Sequence, residues 1–212
     1  MTTTAFVVAG YVLGSMPWGY WLVRLVKHDD IRRHGSGNIG GTNVWRAYGW
    51  RLGLPVVALD TLKGFAPALV GSLVVSDLAG VLAGAGAMLG HWRPLFLGWR
   101  RGGKMVATCG GAFLGVAPLV GGVGAGVWIV VFLIFRYASL ASMLAAASLP
   151  VAAALLGESW PVIIFASAAA AAVVVLHRAN IARLRRGTEN RFSFRRAARA
   201  QSAGSSQSRS SV

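Results

Sequence analysis

The stretch from Met105 to Phe135, MVATCGGAFLGVAPLVGGVGAGVWIVVFLIF, decides how many times this chain crosses a membrane. It can form one long apolar span, or a short helix to about residue 117 followed by a second helix from residue 119. Pro118 and the pair Gly121–Gly122 mark where the helix can break. The choice determines on which side of the membrane everything downstream lies.

The composition indicates an integral membrane protein. The 212 residues are 55% hydrophobic with a mean hydropathy of +0.59, and only 13% are charged, against about 25% in soluble domains. The formal charge of +15 lies beside apolar stretches, where membrane topology itself favours basic loops, so we expect no nucleic-acid partner. The single cysteine, Cys109, excludes a disulfide within the chain.

Apolar stretches long enough to cross a hydrocarbon core of about 30 Å recur along the chain. With the 105–135 stretch divided, the predicted spans are 4–26, 52–75, 78–92, 105–117, 119–135, 138–156 and 161–176. In the first span, Gly10 and Gly14 are spaced for close helix contact, and Pro17 is expected to loosen the middle.

The distribution of charge favours dividing the 105–135 stretch. As one helix, it would put Arg136 and the nine arginines beyond His177 on the face away from the two basic loops, 27–51 and 93–104. Dividing the stretch places the loops 27–51 and 93–104, Arg136 and the arginines beyond His177 all on one face. The other face then has no Lys or Arg. The positive-inside rule makes the basic face cytoplasmic. The predicted fold is therefore an all-α polytopic membrane protein with seven transmembrane helices, the N-terminus outside, the C-terminus cytoplasmic and a short fourth helix.

Two domain-level expectations follow from the same pattern. Residues 1–192 are predicted to form one membrane domain, and residues 193–212, basic and rich in Ser, a disordered cytoplasmic tail. Within the second span, Asp60 and Lys63 stand three residues apart and can pair on one helix face. Two interpretations of the pair remain open: it is a structural ion pair, or Lys63 lies at the edge of an anion site.

A polar, glycine-rich loop, GSGNIGGTNVWR from Gly35 to Arg46, separates the first two spans. Its glycines let a ligand approach the backbone closely, and amide hydrogens can converge on an anion. Arg46 adds a fixed fork suited to phosphate. The neutral hydrogen-bonding groups of the loop are Ser36, Asn38, Thr42 and Asn43. A flexible connector would have a similar glycine content.

Two further polar clusters lie on the predicted cytoplasmic face. Gly102–Gly103–Lys104 opens directly into an apolar helix, whose N-terminal amides favour an anion. The segment 177–189 follows the last span. Together the three clusters offer Ser36, Asn38, Asn43, Arg46, Lys104, Thr108, His177, Asn180 and Glu189. Cationic and neutral donors outnumber carboxylates, and this predicts a site for more than one phosphate without a metal ion.

Several motifs in order resemble the acyl-phosphate-dependent glycerol-3-phosphate acyltransferases of bacteria, the PlsY family, over roughly residues 8–192. Beyond the Gly35–Arg46 loop, the stretches that carry the resemblance are GSMPWGY at 14–20, LDTLKG at 59–64, GH at 90–91, GGKMVAT at 102–108, RYASL at 136–140, HRANI at 177–181 and GTE at 187–189.

The resemblance implies seven membrane helices and an active site at the cytoplasmic face of the bacterial cell membrane. It implies transfer of a fatty acyl chain from a long-chain acyl phosphate to the 1-hydroxyl of glycerol 3-phosphate, the first acylation in phospholipid biosynthesis. The products would be lysophosphatidate and inorganic phosphate. Acyl-CoA and acyl carrier protein are not the direct donors in that family, and no cofactor is expected. The oligomeric state stays undetermined.

Roles can be assigned to the candidate residues on this basis. We expect glycerol phosphate to be held by Arg46, Lys104, Ser36 and His177. Acyl phosphate and the developing oxyanion would be served by Asn38, Asn43, Thr108, Asn180 and the amides of Gly40, Gly41, Gly102 and Gly103. Thr42, Lys63 and Glu189 complete the predicted substrate-binding set. Either His177 or a substrate phosphate is expected to take the proton of the alcohol.

The chain also departs from the usual family signatures. Met105 stands where glycine is usual, Arg101 replaces a lysine, Gly41 replaces an alanine and Arg93 replaces an aromatic residue. Met105 puts bulk and a restricted φ where glycine would be free. A membrane transporter or binding protein for a phosphorylated small molecule is the alternative function, and a protein that gathers acidic lipids is a third.

Overall fold

The computed structural model describes residues 2–193, which form helices and turns without a β-strand. The helices are α1 Thr3–Gly14, α2 Trp18–Lys27, α3 Gly41–Tyr48, α4 Trp50–Val74, α5 Asp77–Trp92, α6 Val106–Val116, α7 Pro118–Phe135, α8 Ala138–Leu155, α9 Trp160–Leu176 and α10 Arg178–Arg185. The all-helical class is confirmed. The predicted disordered tail falls, apart from Ser193, on residues 194–212, which lie outside the described range.

The apolar helices have large apolar side chains on the outer surface of the molecule. Leu155 and Trp160 are 82% and 75% exposed, as expected where lipid rather than water is the solvent. Four helical stretches within residues 2–193 are long and apolar enough to cross a membrane: Thr3–Lys27, α4, α7 and α8. A fifth arises if α9 and α10, bent by 57° from each other, form one broken span.

The first predicted span, which is Thr3–Lys27 in the structure, is interrupted in its middle, where the sequence predicts that Pro17 loosens the helix. α1 ends at Gly14 and α2 begins at Trp18, because Pro17 has no N–H with which to continue the helix. In the gap, the Nζ of Lys63 donates to the Met16 carbonyl at 2.8 Å. Lys63 in turn pairs with Asp60 at 2.7 Å, with both side chains almost wholly buried. The predicted i, i+3 pair is confirmed, and it stabilises the helix break.

Glycines bring α1 against α5. A Cβ at Gly10 would overlap the backbone of Ala83, and one at Gly14 the backbone of Ala87. The close contact predicted from their spacing is therefore confirmed, and such small-residue faces let membrane helices approach at backbone distance.

The 105–135 stretch is divided, as the charge pattern predicts. α6 ends at Val116 and α7 begins at Pro118, because Pro is accepted at the first position of a helix but not within one. α6 has only 11 residues, or about 17 Å of length. Behind it, Phe113 stacks on Phe165 of α9 at 4.8 Å. Because α6 is short, its N-terminal end lies near the polar ends of α8 and α9. Lys104, just before α6, lies there too.

Met105 has the left-handed backbone conformation that its glycine-like position requires, with φ +67°. Its side chain is buried in the core around α6. The left-handed region costs a residue with a side chain about 1–2 kcal/mol, and here burial of the thioether chain offsets that cost.

We expect Met105→Gly to be more stable than Met105→Ala by about 1 kcal/mol, because both lose the buried side chain but only alanine keeps the φ penalty. Thermal unfolding of the purified variants in detergent measures the difference. Both should unfold below the wild type. An alanine variant as stable as the glycine variant would contradict the backbone argument.

Candidate active site

One cavity of about 580 Å³ connects the three predicted polar clusters. Its wall comes from the glycine-rich loop, from α3 to α10, and from the segment after α10. The start of α6, the start of α8 and the end of α9 bring polar side chains to one end. Farther along α7 and α8 the lining is apolar. The cavity thus joins a cationic end to an apolar arm.

Asn43 organises the glycine-rich loop from within. Its Oδ1 accepts from the Ser36 amide at 3.0 Å, and its Nδ2 donates to the carbonyls of His34 and Asn38 at 3.0 and 2.9 Å. Asn38 accepts from the Gly40 amide at 2.7 Å. The Asn43 amide therefore has a structural task, and it leaves Ser36 and Asn38 at the cavity wall.

Gly41 explains how this loop reaches the cavity. A Cβ at this position would overlap a methyl group of Val57 of α4, so glycine lets the start of α3 lie close against α4 with Val57 in its present rotamer. The first turn of α3, with Gly41 and Thr42, then borders the cavity. A helix N-terminus directed at a cavity favours an anion there.

The second loop is built around His91. The amides of Gly102 and Gly103 donate to the carbonyls of Trp92 and His91, both at 2.9 Å, and a Cβ at Gly103 would overlap the His91 ring. These two amides lie behind the cavity wall, which differs from the expectation that they face an anion. The loop instead positions the next residue, Lys104.

Lys104 is the cation of this loop that reaches the cavity. Its Nζ donates to Oδ1 of Asn180 at 2.6 Å. Burial, together with nearby Arg183, lowers the pKa of Lys104 to about 8. A bound dianion would stabilise the charged ammonium, so the site is set to take up an anion.

Arg46 faces the same end from α3. One Nη donates to the carbonyl of Asn190 at 3.1 Å, and the Nε, although buried, has no hydrogen-bond partner among residues 2–193. Burial lowers the pKa of Arg46, yet a guanidinium stays charged in proteins. A buried, unpaired donor of this kind indicates a ligand.

Glu189 fixes the third cluster. It accepts from Ser139 at 2.7 Å, from Nδ2 of Asn180 at 2.6 Å and from Arg183 at 2.7 Å. Burial acts to raise the pKa of Glu189, but these three hydrogen bonds outweigh it and the net shift is downward. The ion-pair partner of Glu189 is thus Arg183, in the last turn of α10.

His177 lies just beyond the last residue of α9. Its Nδ1 donates to the carbonyl of Val173 at 2.8 Å, so the proton-free Nε2 of the neutral ring is the nitrogen left for a ligand. Burial and the charge of Lys104 lower the pKa of His177 to about 4, although the Val173 hydrogen bond acts the other way. The ring is neutral near pH 7 and a weak base.

Most of the predicted residues meet at this cavity. Those that line it are Ser36, Asn38, Gly40, Gly41, Thr42, Asn43, Arg46, Lys104, His177, Asn180 and Glu189. Lys63, Gly102, Gly103 and Thr108 do not line it. Lys63 is held by Asp60 and Met16, and Thr108 is fully buried against Gly64 of α4.

Several lining residues escaped the sequence prediction. They are Ser139, Arg183, Asn190, Phe192 and Trp128. Ser139 lies in the RYASL motif, one of the stretches that carry the family resemblance, so the sequence could have indicated it. Nothing in the sequence indicates Phe192, because it lies in a polar, basic stretch without periodicity. Trp128, within the apolar 105–135 stretch, lines the cavity and donates to Ser142 at 3.1 Å.

Taken together, a cationic end and an apolar arm are the features expected of a membrane enzyme or carrier for a phosphorylated, lipid-like compound. Within residues 2–193, no group of three or more His, Cys, Asp or Glu side chains could hold a metal ion.

Comparison with known proteins separates enzyme from carrier. The chain matches the glycerol-3-phosphate acyltransferase family over residues 4–187. It is 46% identical to the glycerol-3-phosphate acyltransferase of Desulforudis audaxviator (strain MP104C), over 88% of this chain and 93% of that protein. It is also 46% identical to that of Roseiflexus sp. (strain RS-1), over 91% and 96%.

Two solved structures have the same fold. Both are crystal structures of PlsY (YgiH), an integral membrane glycerol 3-phosphate acyltransferase, one in a glycerol 3-phosphate form and one in a lysophosphatidic acid form. The first has a TM-score of 0.86 and 39% identity, covering 90% of this chain and 96% of that one. The second has a TM-score of 0.84 and 36% identity, covering 92% and 98%.

The protein is thus an integral membrane acyltransferase. It belongs to the glycerol-3-phosphate acyltransferase family, and the resemblance seen in the sequence motifs is confirmed.

Proposed function

We propose that this protein transfers a fatty acyl group from acyl phosphate to the 1-hydroxyl of sn-glycerol 3-phosphate, giving lysophosphatidate and inorganic phosphate. The observation that carries the proposal is the single cavity with a cationic end and an apolar arm. Membership of the family supports the acceptor, and the named ligand forms of the two solved relatives support acceptor and product.

The cationic end suits two phosphates. Arg46, Lys104 and Arg183 line it, and Glu189 is fully engaged in hydrogen bonds with its own neighbours. We assign the phosphate of glycerol 3-phosphate to Arg46 and Lys104, with Ser36 completing its contacts and the Nε2 of His177 accepting from a glycerol hydroxyl. Charge-assisted hydrogen bonds to phosphate are roughly twice as strong as neutral ones.

The apolar arm suits an acyl chain. Along α7 its lining runs from Gly121 to Leu133, which is about 18 Å of helix. Small residues keep the arm open, namely Gly110, Gly121, Gly124, Ala125, Ala145 and Ala146. The donor would therefore lie with its chain in the arm and its phosphate at the cationic end.

Acyl phosphate is a mixed anhydride, so the chain needs chiefly to position two reactants and stabilise charge at the carbonyl. The hydroxyl oxygen forms the new ester bond, the bond from carbonyl carbon to phosphate oxygen breaks, and phosphate leaves with the electron pair. Asn38 and the first turn of α3 are our candidates for the oxyanion. Asn180, through its bond to Lys104, orients the ammonium.

We propose that a phosphate oxygen of a substrate, rather than His177, accepts the proton of the alcohol. A histidine with a pKa of about 4 is a weak general base near neutrality, whereas a phosphate dianion takes up a proton near pH 6. His177 would then accept a hydrogen bond from the substrate through Nε2 and position it.

On this assignment, His177→Gln is expected to raise KM for glycerol 3-phosphate and to lower kcat by no more than about tenfold, because Gln still accepts a hydrogen bond. The dependence of kcat on pH between 6 and 8 should not change. Steady-state kinetics measures both, with His28→Gln, outside the cavity, as control. A fall in kcat of more than a hundredfold, the range of a lost general base, would return that role to His177.

We also propose how the chain is arranged in the membrane. Seven membrane helices, an outer N-terminus and a cavity mouth at the cytoplasmic face of the bacterial inner membrane are supported by the one-sided distribution of Lys and Arg. α5 and the short α6 would complete the seven. A water-soluble acceptor and a membrane-soluble donor would meet at that face.

The decisive assay uses purified protein in lipid with acyl phosphate and glycerol 3-phosphate. We expect lysophosphatidate and phosphate in equal amounts, and no product when acyl-CoA replaces acyl phosphate. Absence of both products, beside an active relative as control, would overturn the acyltransferase proposal. Product with acyl-CoA alone would overturn only the identity of the donor.

A further inference from the structure

The segment from Glu189 to Phe192, here called the strap, follows α10 and crosses back over the polar end of the cavity. At its start, Glu189 is held by Ser139 of α8 and Asn180 of α10. At its other end, the amide of Phe192 donates to the carbonyl of Arg136 at 2.7 Å. Both ends are therefore fixed to the protein around the cavity.

The ring of Phe192 joins two sides of the cavity. It is 2% exposed and makes edge contacts with Trp45 of α3, at 5.5 Å between centroids, and with Phe132 of α7, at 5.3 Å. α3 otherwise packs mainly against α4. The ring thus fixes the helix that carries Arg46 relative to the helix that lines the apolar arm.

The strap also contacts Arg46 itself. The guanidinium carbon lies 5.7 Å from the centroid of the Phe192 ring, and one Nη donates to the carbonyl of Asn190 at 3.1 Å. These two contacts restrict the long side chain to one orientation. The buried Nε, which has no partner among residues 2–193, belongs to the part of the group that the strap leaves free.

We propose that Phe192 is a positioning residue for Arg46. Its ring and the neighbouring Asn190 carbonyl hold the guanidinium in place before the substrate arrives, so that binding does not have to order it. The inference rests on the proposed assignment of Arg46 to the phosphate of glycerol 3-phosphate. It adds to that assignment a residue beyond the 4–187 range of the family match.

Loss of the ring should act on binding of the acceptor. Without it, Arg46 regains rotamer freedom that binding must then remove, and the contact between cation and ring is lost. We expect Phe192→Ala to raise the Kd and KM for glycerol 3-phosphate about tenfold. The KM for acyl phosphate and kcat should change less than threefold. Phe192→Leu, which keeps bulk but not the aromatic face, should raise the Kd at least threefold.

The test is calorimetric titration of the purified, lipid-embedded full chain with glycerol 3-phosphate, followed by steady-state kinetics. The matched control is Phe165→Ala, which removes a buried ring stacked on Phe113 far from the strap. It should lower the unfolding temperature and leave the Kd unchanged. If Phe192→Ala does not fold, the leucine variant carries the measurement.

A double-mutant cycle with Arg46→Ala identifies the route of the effect. If Phe192 acts through Arg46, removing its ring in the Arg46→Ala background should change the Kd less than twofold. Equal effects in both backgrounds, or a Phe192→Ala Kd like that of Phe165→Ala, would overturn the positioning role. An Arg46→Ala variant with the wild-type Kd would instead refute the assignment of Arg46, on which the inference rests.

Discussion

Lys104→Ala is expected to lower kcat/KM for glycerol 3-phosphate by about a thousandfold. Truncating a half-buried cation that faces a phosphate removes a charge-assisted interaction, and about 4 kcal/mol corresponds to this factor. Steady-state kinetics in lipid measures it. Lys27→Ala, which removes a lysine at the end of α2 outside the cavity, should leave kcat/KM unchanged. A loss of less than tenfold would contradict the assignment.

The same residue predicts a dependence on pH. Because kcat/KM reports the ionisation of the free enzyme and the pKa of Lys104 is lowered to about 8, the charged ammonium is present below pH 8 and lost above it. We therefore expect kcat/KM to fall as pH rises through about 8. In Lys104→Arg that alkaline fall should disappear, since a guanidinium stays protonated. Its persistence would point to another group.

Glu189→Ala is expected to destabilise the protein and to lower kcat/KM about a hundredfold. The carboxylate accepts three hydrogen bonds, one of them from an arginine, and its removal leaves Arg183 and Asn180 without their acceptor. Hydrogen bonds to charged groups contribute about 1.5–3 kcal/mol each, and because bonds that share one carboxylate do not add independently, we expect the free energy of unfolding to fall by at least about 3 kcal/mol. Activity falls because Asn180 no longer orients Lys104.

Thermal unfolding and kinetics of Glu189→Ala, Glu189→Gln and Glu158→Ala separate these effects. Gln keeps an acceptor for Asn180 and should lie between Ala and wild type, whereas Glu158, at the turn before α9, should tolerate Ala. Since the pKa of Glu189 is lowered in the folded state, its stabilising contribution is present above the unfolded pKa of about 4.3. That contribution is lost as pH falls through the folded pKa. A glutamine variant equal to wild type would contradict the role of the charge.

Much of the fold was predictable because its signals are local. Pro118 and the one-sided basic loops divide the 105–135 stretch, and Gly10 and Gly14 place α1 on α5. The Asp60–Lys63 pair follows from helical spacing alone, but its purpose does not. Only the folded chain shows that Lys63 reaches the Met16 carbonyl in the break at Pro17, because that contact joins residues far apart in sequence.

The candidate site was predictable in membership more than in role. Glycine-rich loops and their cations identified eleven lining residues, since residue type limits which groups can hold an anion. Residue type could not distinguish an amide that faces the cavity from one whose hydrogen bonds are already made within the protein. Gly103 and Asn43 belong to the second kind, because their hydrogen bonds are made inside the loops.

By itself, the sequence determined that this chain is a helical membrane protein, and it predicted an anion site of loops and cations, because hydropathy, charge and turn residues act locally. The tertiary structure decided how those groups are used. It aligned the starts of α6 and α8 with the end of α9, gave Glu189 its three partners, and brought Phe192 under Arg46. Packing of this kind depends on distances between segments that no local pattern specifies, and it sets which donors remain free for a substrate.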